Sequence, residues 1–166
     1  AAENEIDALD TLDELSCTAT QVVINDDGWR CADPMLTRSL TGTFNQTLES
    51  DGFVGFWTSV AIGVDGNPVI SHRDGTSQDL ELYVCDDPTC ASGTNQVLGD
   101  GGYYTSVAIG ADGNPVVSYN GSTRQLELYV CADPPCASGV NETLVPGASD
   151  SYFTSVAIGV DGNPVI

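Results

Sequence analysis

One histidine, His72, stands in the run "VISHRD" between Ser71 and Asp74. Serine, histidine and a carboxylate are the parts of a nucleophilic triad, which works only when the three side chains converge on one point. Neighbours along an extended chain point to opposite faces instead. A second copy of the same pattern carries Ser118, Tyr119 and Asn120 where this one has Ser71, His72 and Arg73, so the histidine fills a slot that also takes tyrosine. The run therefore reads as a strand. Glycoside hydrolysis needs two carboxylates flanking a bond, and among 24 acidic residues no pair stands out by its context. Arg30, Arg38, Arg73 and Arg124 are the only basic residues. Clustered arginines would bind a substrate carboxylate, but these are scattered and read as surface charges. No catalytic residue is assigned, and no enzyme activity is expected.

Cation binding is the next chemistry to weigh. Asp65, Asp112 and Asp161 each open an "Asp-Gly-Asn" turn, and one carboxylate per turn is too few for calcium, which takes six to eight oxygens. Asp26 and Asp27 in "NDDG" and Asp86 and Asp87 in "CDDP" are better candidates, although no known calcium-loop pattern surrounds them. No cofactor is expected, calcium being the only one these carboxylates suggest. Asn45, Asn120 and Asn141 lie in Asn-x-Ser/Thr triplets and are candidate glycosylation sites in a secretory pathway.

The cysteines are Cys17, Cys31, Cys85, Cys90, Cys131 and Cys136. Two pairs share one frame, "CDDPTC" and "CADPPC", so Cys85–Cys90 and Cys131–Cys136 are the favoured disulfides. That leaves Cys17 with Cys31. Zinc needs further ligands close by, and the single histidine makes it the weaker reading. Disulfides imply an oxidising compartment and hence an extracellular or cell-surface protein. Ala1-Ala2 reads as a mature terminus left by cleavage at a small-residue site.

A formal charge of −20 repels phosphate backbones and anionic headgroups, so nucleic-acid partners are excluded. No apolar stretch approaches the roughly 20 residues of a membrane helix, and membrane insertion is not expected. Basic surfaces, glycans and further copies of the chain remain as partners.

These residues are positioned by a repeat. "TSVAIG" begins at 58, 105 and 154, and "LELYVC" at 80 and 126. "FNQTLES", "TNQVLGD" and "VNETLVP" align as a further element from 44, 94 and 140. One unit thus holds four short strand-like runs in about 47 residues. In the first, Val60, Ile62 and Val64 alternate with Ala61 and Gly63, the period-two signature of a strand. Asp65-Gly66-Asn67 supplies a hairpin turn, and Pro68 stands first in the next strand, where a missing N–H does least harm. Bulky residues on one face and small ones on the other predict sheets covered on both sides. The fold class expected is all-β, with β-propeller-like four-stranded blades; a β-solenoid is the alternative. Tyr103, Tyr104, Tyr152, Phe153, Phe56 and Trp57 precede the "TS" of each unit and are expected to pack between blades rather than to stack on glycans.

"SVAIGVDGNPVIS" followed by "DLELYVC" resembles the blade repeats of secreted bacterial β-propeller proteins, over roughly residues 44 to 166. The best-known relatives of that fold are sialidase-like propellers with a Ser-x-Asp-x-Gly-x-x-Trp box. Asp65, Asp112 and Asp161 lack the serine two before and the tryptophan after, so the resemblance implies the architecture and not the activity. "LSCTATQVVINDDGWRCAD" resembles a cysteine-bounded connector of bacterial surface fibres.

Three segments follow. Residues 1–16 place Ile6, Leu9, Leu12 and Leu15 three apart, one stripe of a short acidic helix suited to assembly. Residues 17–50 form a disulfide-bounded, degenerate partial blade: "WRCADP" matches the third strand and "FNQTL" the fourth. Residues 51–166 carry the blade repeats, the last with only its first two strands. One blade is thereby split between the two ends. Either the natural chain is longer than this sequence, or another molecule completes the blade in a head-to-tail contact, which closes into a ring or runs on as a filament. The expectation is an extracellular structural or adhesive filament subunit, with Trp29, Phe44, Leu48, Val156, Ile158, Val165 and Ile166 at the assembly edge. A carbohydrate- or protein-binding propeller module and a sialidase-like hydrolase are the alternatives.

Overall fold

The structure, a computed structural model, describes residues 46–146 and 152–166, together with the backbone of 22–25 and 29–32. The expected N-terminal helix, Cys17, Asp26, Asp27, Phe44 and Asn45 lie outside the described residues. Two compact units make up the chain, Ala1–Asn45 and Gln46–Ile166. In the first, β1 (Val22–Asn25) and β2 (Trp29–Ala32) form an antiparallel hairpin, with Val23 opposite Cys31.

The described part of the second unit is all-β. Repeat one holds β3 (Phe56–Ile62), β4 (Pro68–Arg73), β5 (Asp79–Cys85) and β6 (Gly93–Asp100). Repeat two holds β7 (Tyr103–Ile109), β8 (Pro115–Asn120), β9 (Leu126–Cys131) and β10 (Gly139–Val145). Each is a four-stranded antiparallel sheet whose strands follow chain order. Repeat three contributes a hairpin of β11 (Ala157–Ile158) and β12 (Pro164–Val165).

Local chemistry explains the recurring hairpin. Asp65 Oδ1 accepts from the Asn67 N–H at 3.0 Å, and Asp65 Oδ2 accepts from the Asn67 side-chain amide at 2.9 Å. Gly63 N–H closes the turn on the Asn67 carbonyl at 2.8 Å. Gly66 turns the corner at φ +84°, a conformation that costs a glycine little. The same bonds recur at Asp112–Asn114 and Asp161–Asn163. These turns use both oxygens of each aspartate, as the turn reading of the sequence expects. At Asp161 the Asn163 side chain and backbone hold the carboxyl below its ordinary range.

Cys85–Cys90 and Cys131–Cys136 are disulfides, each with Cα atoms 4.9 Å apart. Each ties the loop that leaves the third strand of its repeat. Closing so short a loop removes unfolded-state entropy worth about 2 kcal/mol. The double change Cys85→Ala/Cys90→Ala is expected to lower unfolding stability by about that amount, and the matching change at Cys131 and Cys136 by a similar amount. Urea denaturation of both variants checks this.

Candidate functional site

Strand register sorts the side chains of repeat one onto two faces. Ser59 opposite Ser71, Ala61 opposite Val69, and Val69 opposite Val84 define one, called the back. Val60 opposite Ile70, and Ile70 opposite Tyr83, define the other, called the front. The main core is the back of repeat one pressed on the front of repeat two: Val69, Leu80, Leu82 and Leu98 against Val107, Val117 and Tyr119. A second core repeats the arrangement one step on, with Val116 and Leu128 against Val156.

Hydrogen bonds stitch these faces with the same period. Thr105 Oγ1 donates to the Trp57 carbonyl at 2.8 Å and lies 2.7 Å from Ser71 Oγ, while the Val107 N–H donates to Ser59 Oγ at 3.2 Å. At the next seam Thr154 Oγ1 donates to the Tyr104 carbonyl at 2.8 Å, Ser118 Oγ stands 3.0 Å from Thr154 Oγ1, and the Val156 N–H donates to Ser106 Oγ at 3.1 Å. Trp57, Tyr104 and Phe153 lead into the "TS" of each repeat at φ 50°, 55° and 60°, values uncommon outside glycine. This backbone kink lines up their rings: Trp57 stacks 5.2 Å from Tyr104, and Tyr104 4.6 Å from Phe153. The rings touch between repeats, as the sequence led one to expect, but Phe56, Trp57, Tyr152 and Phe153 stay exposed rather than buried in a seam.

Equivalent positions then expose an asymmetry. On the front, Val107 and Val156 are 7% and 8% exposed, whereas their counterpart Val60 is 62% exposed. On the back, Val69 and Val116 are 4% and 5% exposed, whereas Val165 is 60% exposed. Among the described residues, the front of repeat one and the back of repeat three are the two halves of a seam that the chain makes twice internally.

The residues expected at an assembly edge divide accordingly. Val165 and Ile166 are exposed, and Ile158 is half-buried in β11. Val156, by contrast, is buried inside the second core and is not a free edge. Trp29 starts β2. Leu48 is half-buried in a segment without strand pairing, so the fourth-strand match of "FNQTL" gives no strand at residues 46–48. Leu48 instead lines a hollow of about 260 Å³ over the front of repeat one, with Thr58, Ile70 and Tyr83.

The candidate cation residues Asp86 and Asp87 are taken up by their loop. Asp86 Oδ2 accepts from Ser92 Oγ at 2.8 Å, and Asp87 accepts from the N–H groups of Thr89 and Ala91 at 2.8 and 3.0 Å. The Thr89 hydroxyl and N–H hold the Asp87 carboxyl below its usual range. Asn120 is 2% exposed, so the folded chain does not present it to a glycosyl transferase. Asn141 is exposed, with its amide donating to Glu127 Oε2 at 2.6 Å.

Two residues differ from their sequence reading in kind. Arg73, expected as a surface charge, is 7% exposed. It donates from Nε to the Gly101 carbonyl at 2.8 Å and from Nη2 to the Tyr103 hydroxyl at 3.1 Å, with its guanidinium 4.2 Å from the Tyr103 ring centre. Arg124 is exposed, as expected. The triad reading of His72 fails geometrically, because Ser71 points from the back face to Thr105. His72 lies on the front, 5% exposed, with Nε2 3.4 Å from Glu49 Oε2 and 3.7 Å from Glu81 Oε2. Sequence reasoning missed this cluster. The signal available was the alignment of "FNQTLES" with "TNQVLGD", which seats Glu49 where the next repeat has Gly99.

No protein-family model matches the chain, and no curated protein is similar to it.

Proposed function

We propose that this is an extracellular structural subunit, built of propeller-like blades, that assembles with copies of itself head to tail. The observation that carries the reading is the pair of uncovered valines, Val60 on the front of repeat one at 62% and Val165 on the back of repeat three at 60% exposure, whose counterparts are buried in internal seams. In the intermolecular seam, Val60 of one copy packs over Val165 and Ala157 of the next. Thr58 donates to the Phe153 carbonyl and the Val60 N–H donates to Ser155, repeating the bonds of the internal seams. Among the described residues β12 pairs with β11, whereas its counterparts β4 and β8 also carry third strands, β5 and β9. A third and fourth strand from the N-terminal segment of a neighbour would complete that blade by strand addition. Such a contact is heterologous, so it propagates into a filament unless the rotation closes a ring. The disulfides support an oxidising, extracellular location.

Sedimentation velocity and electron microscopy of the purified 166-residue chain test this. Species larger than the monomer, growing with concentration, are expected. Val60→Asp puts a charge on the apolar seam and is expected to weaken association at least tenfold while leaving the monomer folded. A wild-type chain that stays monomeric, its faces covered by its own residues 1–45 for example, overturns the reading.

A second reading, glycan binding, has one observation in its favour. Trp57, Tyr103, Tyr104, Tyr152 and Arg124 line a hollow of about 310 Å³, the aromatic-and-polar mixture that sugars stack on. A glycan array with the purified protein decides it: saturable binding lost in Tyr104→Ala supports it, and no binding removes it.

A further inference from the structure

Glu49, His72 and Glu81 bring one ligand atom each to within 4.8 Å of one another. They come from three places: the segment before β3, β4 and β5. Register pairs His72 with Glu81 across the β4–β5 ladder, and Glu49 closes over them from the front. Bonded at roughly 2.0–2.1 Å to a tetrahedral zinc ion, ligand atoms stand about 3.4 Å apart. The two separations from His72 Nε2 are already 3.4 and 3.7 Å.

Charge sets the demand. Glu81 is 6% and His72 5% exposed, and buried carboxylates persist only when paired or bound to metal. With a neutral imidazole the cluster carries two negative charges, and with an imidazolium it still carries one. A divalent cation balances it. The Asn95 amide holds both carboxylates in place, donating to Glu49 Oε2 at 3.0 Å and Glu81 Oε2 at 2.8 Å, the supporting role that outer partners take at metal sites. His72 Nε2 is aimed into the cluster, toward Oε2 of both carboxylates.

Repeat two provides an internal comparison. Tyr119 replaces His72, its hydroxyl donating to Glu127 Oε2 at 2.7 Å and lying 3.0 Å from Asn141 Oδ1. A Cβ on Gly99, at the Glu49 position, would stand 3.8 Å from that hydroxyl. One carboxylate met by neutral donors needs no cation. Burial and Glu127 push the Tyr119 hydroxyl far above its ordinary range, so it stays a proton donor.

We propose that Glu49, His72 and Glu81 form a site for one divalent transition cation of the zinc type. Imidazole nitrogen suits zinc, and two carboxylates complete a three-ligand set with a fourth position open. That position lies beside the hollow over the front of repeat one, which His72 and Glu49 also line. The bound ion ties residues 46–50 to β4 and β5. This does not depend on self-assembly, since every ligand comes from one chain.

The test is calorimetric titration of the untagged, metal-free full chain with Zn²⁺, together with the visible spectrum of the Co²⁺-loaded protein. One ion per chain is expected, with tetrahedral cobalt bands. His72→Tyr, the residue the fold already accepts in repeat two, is expected to weaken zinc binding at least a hundredfold, and Glu49→Gln at least tenfold. Asp87→Asn should bind as wild type. Should His72→Tyr fail to fold, Glu49→Gln in its loop segment carries the test alone. No saturable zinc uptake, calcium uptake without zinc, or unchanged binding in Glu49→Gln or a folded His72→Tyr overturns the proposal.

Discussion

Leu82→Ala is expected to lower unfolding stability by about 3–4 kcal/mol, the middle of the range for a buried leucine. Leu82 is fully buried and belongs both to the interior of its own sheet and to the seam with repeat two. Around it lie Val69 and Leu80 on the same back face, and Val107 and Val117 on the facing front. These sit on paired strands of two sheets, so collapse into the cavity would require both sheets to shift, and little relaxation is available. Val60→Ala is the contrasting change. At 62% exposure, its loss should move monomer stability by no more than about 0.5 kcal/mol. Urea denaturation of the two variants, at a concentration where the protein is monomeric, gives both numbers. Equal effects would mean that the back and front faces are not distinct.

Arg73→Lys is the second large effect, expected at about 2 kcal/mol despite the retained charge. The guanidinium satisfies Gly101 and Tyr103 together and lies 4.2 and 5.7 Å from the ring centres of Tyr103 and Trp57. Lysine offers a compact ammonium that cannot lie flat on a ring while reaching both acceptors. A buried carbonyl or a buried ammonium is then left poorly paired. Arg73 lies on the back of β4 and Tyr103 opens β7, so the damage falls on the seam between repeats. Thermal unfolding should show the loss, and Arg124→Lys, at an exposed turn position, should show none.

Much of the fold is legible in the sequence because the repeat spells it out several times. Val60 and Ile62 alternating with Ala61 foretell the end of β3, although the strand stops at Ile62 and leaves Gly63 and Val64 to the turn, and Asp65-Gly66-Asn67 foretells the turn that Gly66 makes. The shared frame of "CDDPTC" and "CADPPC" foretells both disulfides. What could not be read follows from long-range placement. Arg73 is buried because a backbone carbonyl and two rings from the next turns of chain meet it, and charge alone points to the surface. Glu49 reaches His72 because residues 46–50 lie over a sheet that begins at Phe56, a fold-back that no local pattern announces. The kinked aromatics were visible as residues but not as a stack, since positive φ at Trp57, Tyr104 and Phe153 carries no glycine to mark it.

The two exposed valines give the proposed assembly its most direct test. Val60→Asp spoils the front and leaves the back intact; Val165→Asp does the reverse. Neither variant should associate with itself. Mixed in equal amounts, they keep one good front and one good back between them, and sedimentation velocity should show a species of two chains and nothing larger. Dimers in either variant alone, or no dimer in the mixture, would contradict head-to-tail assembly through these faces.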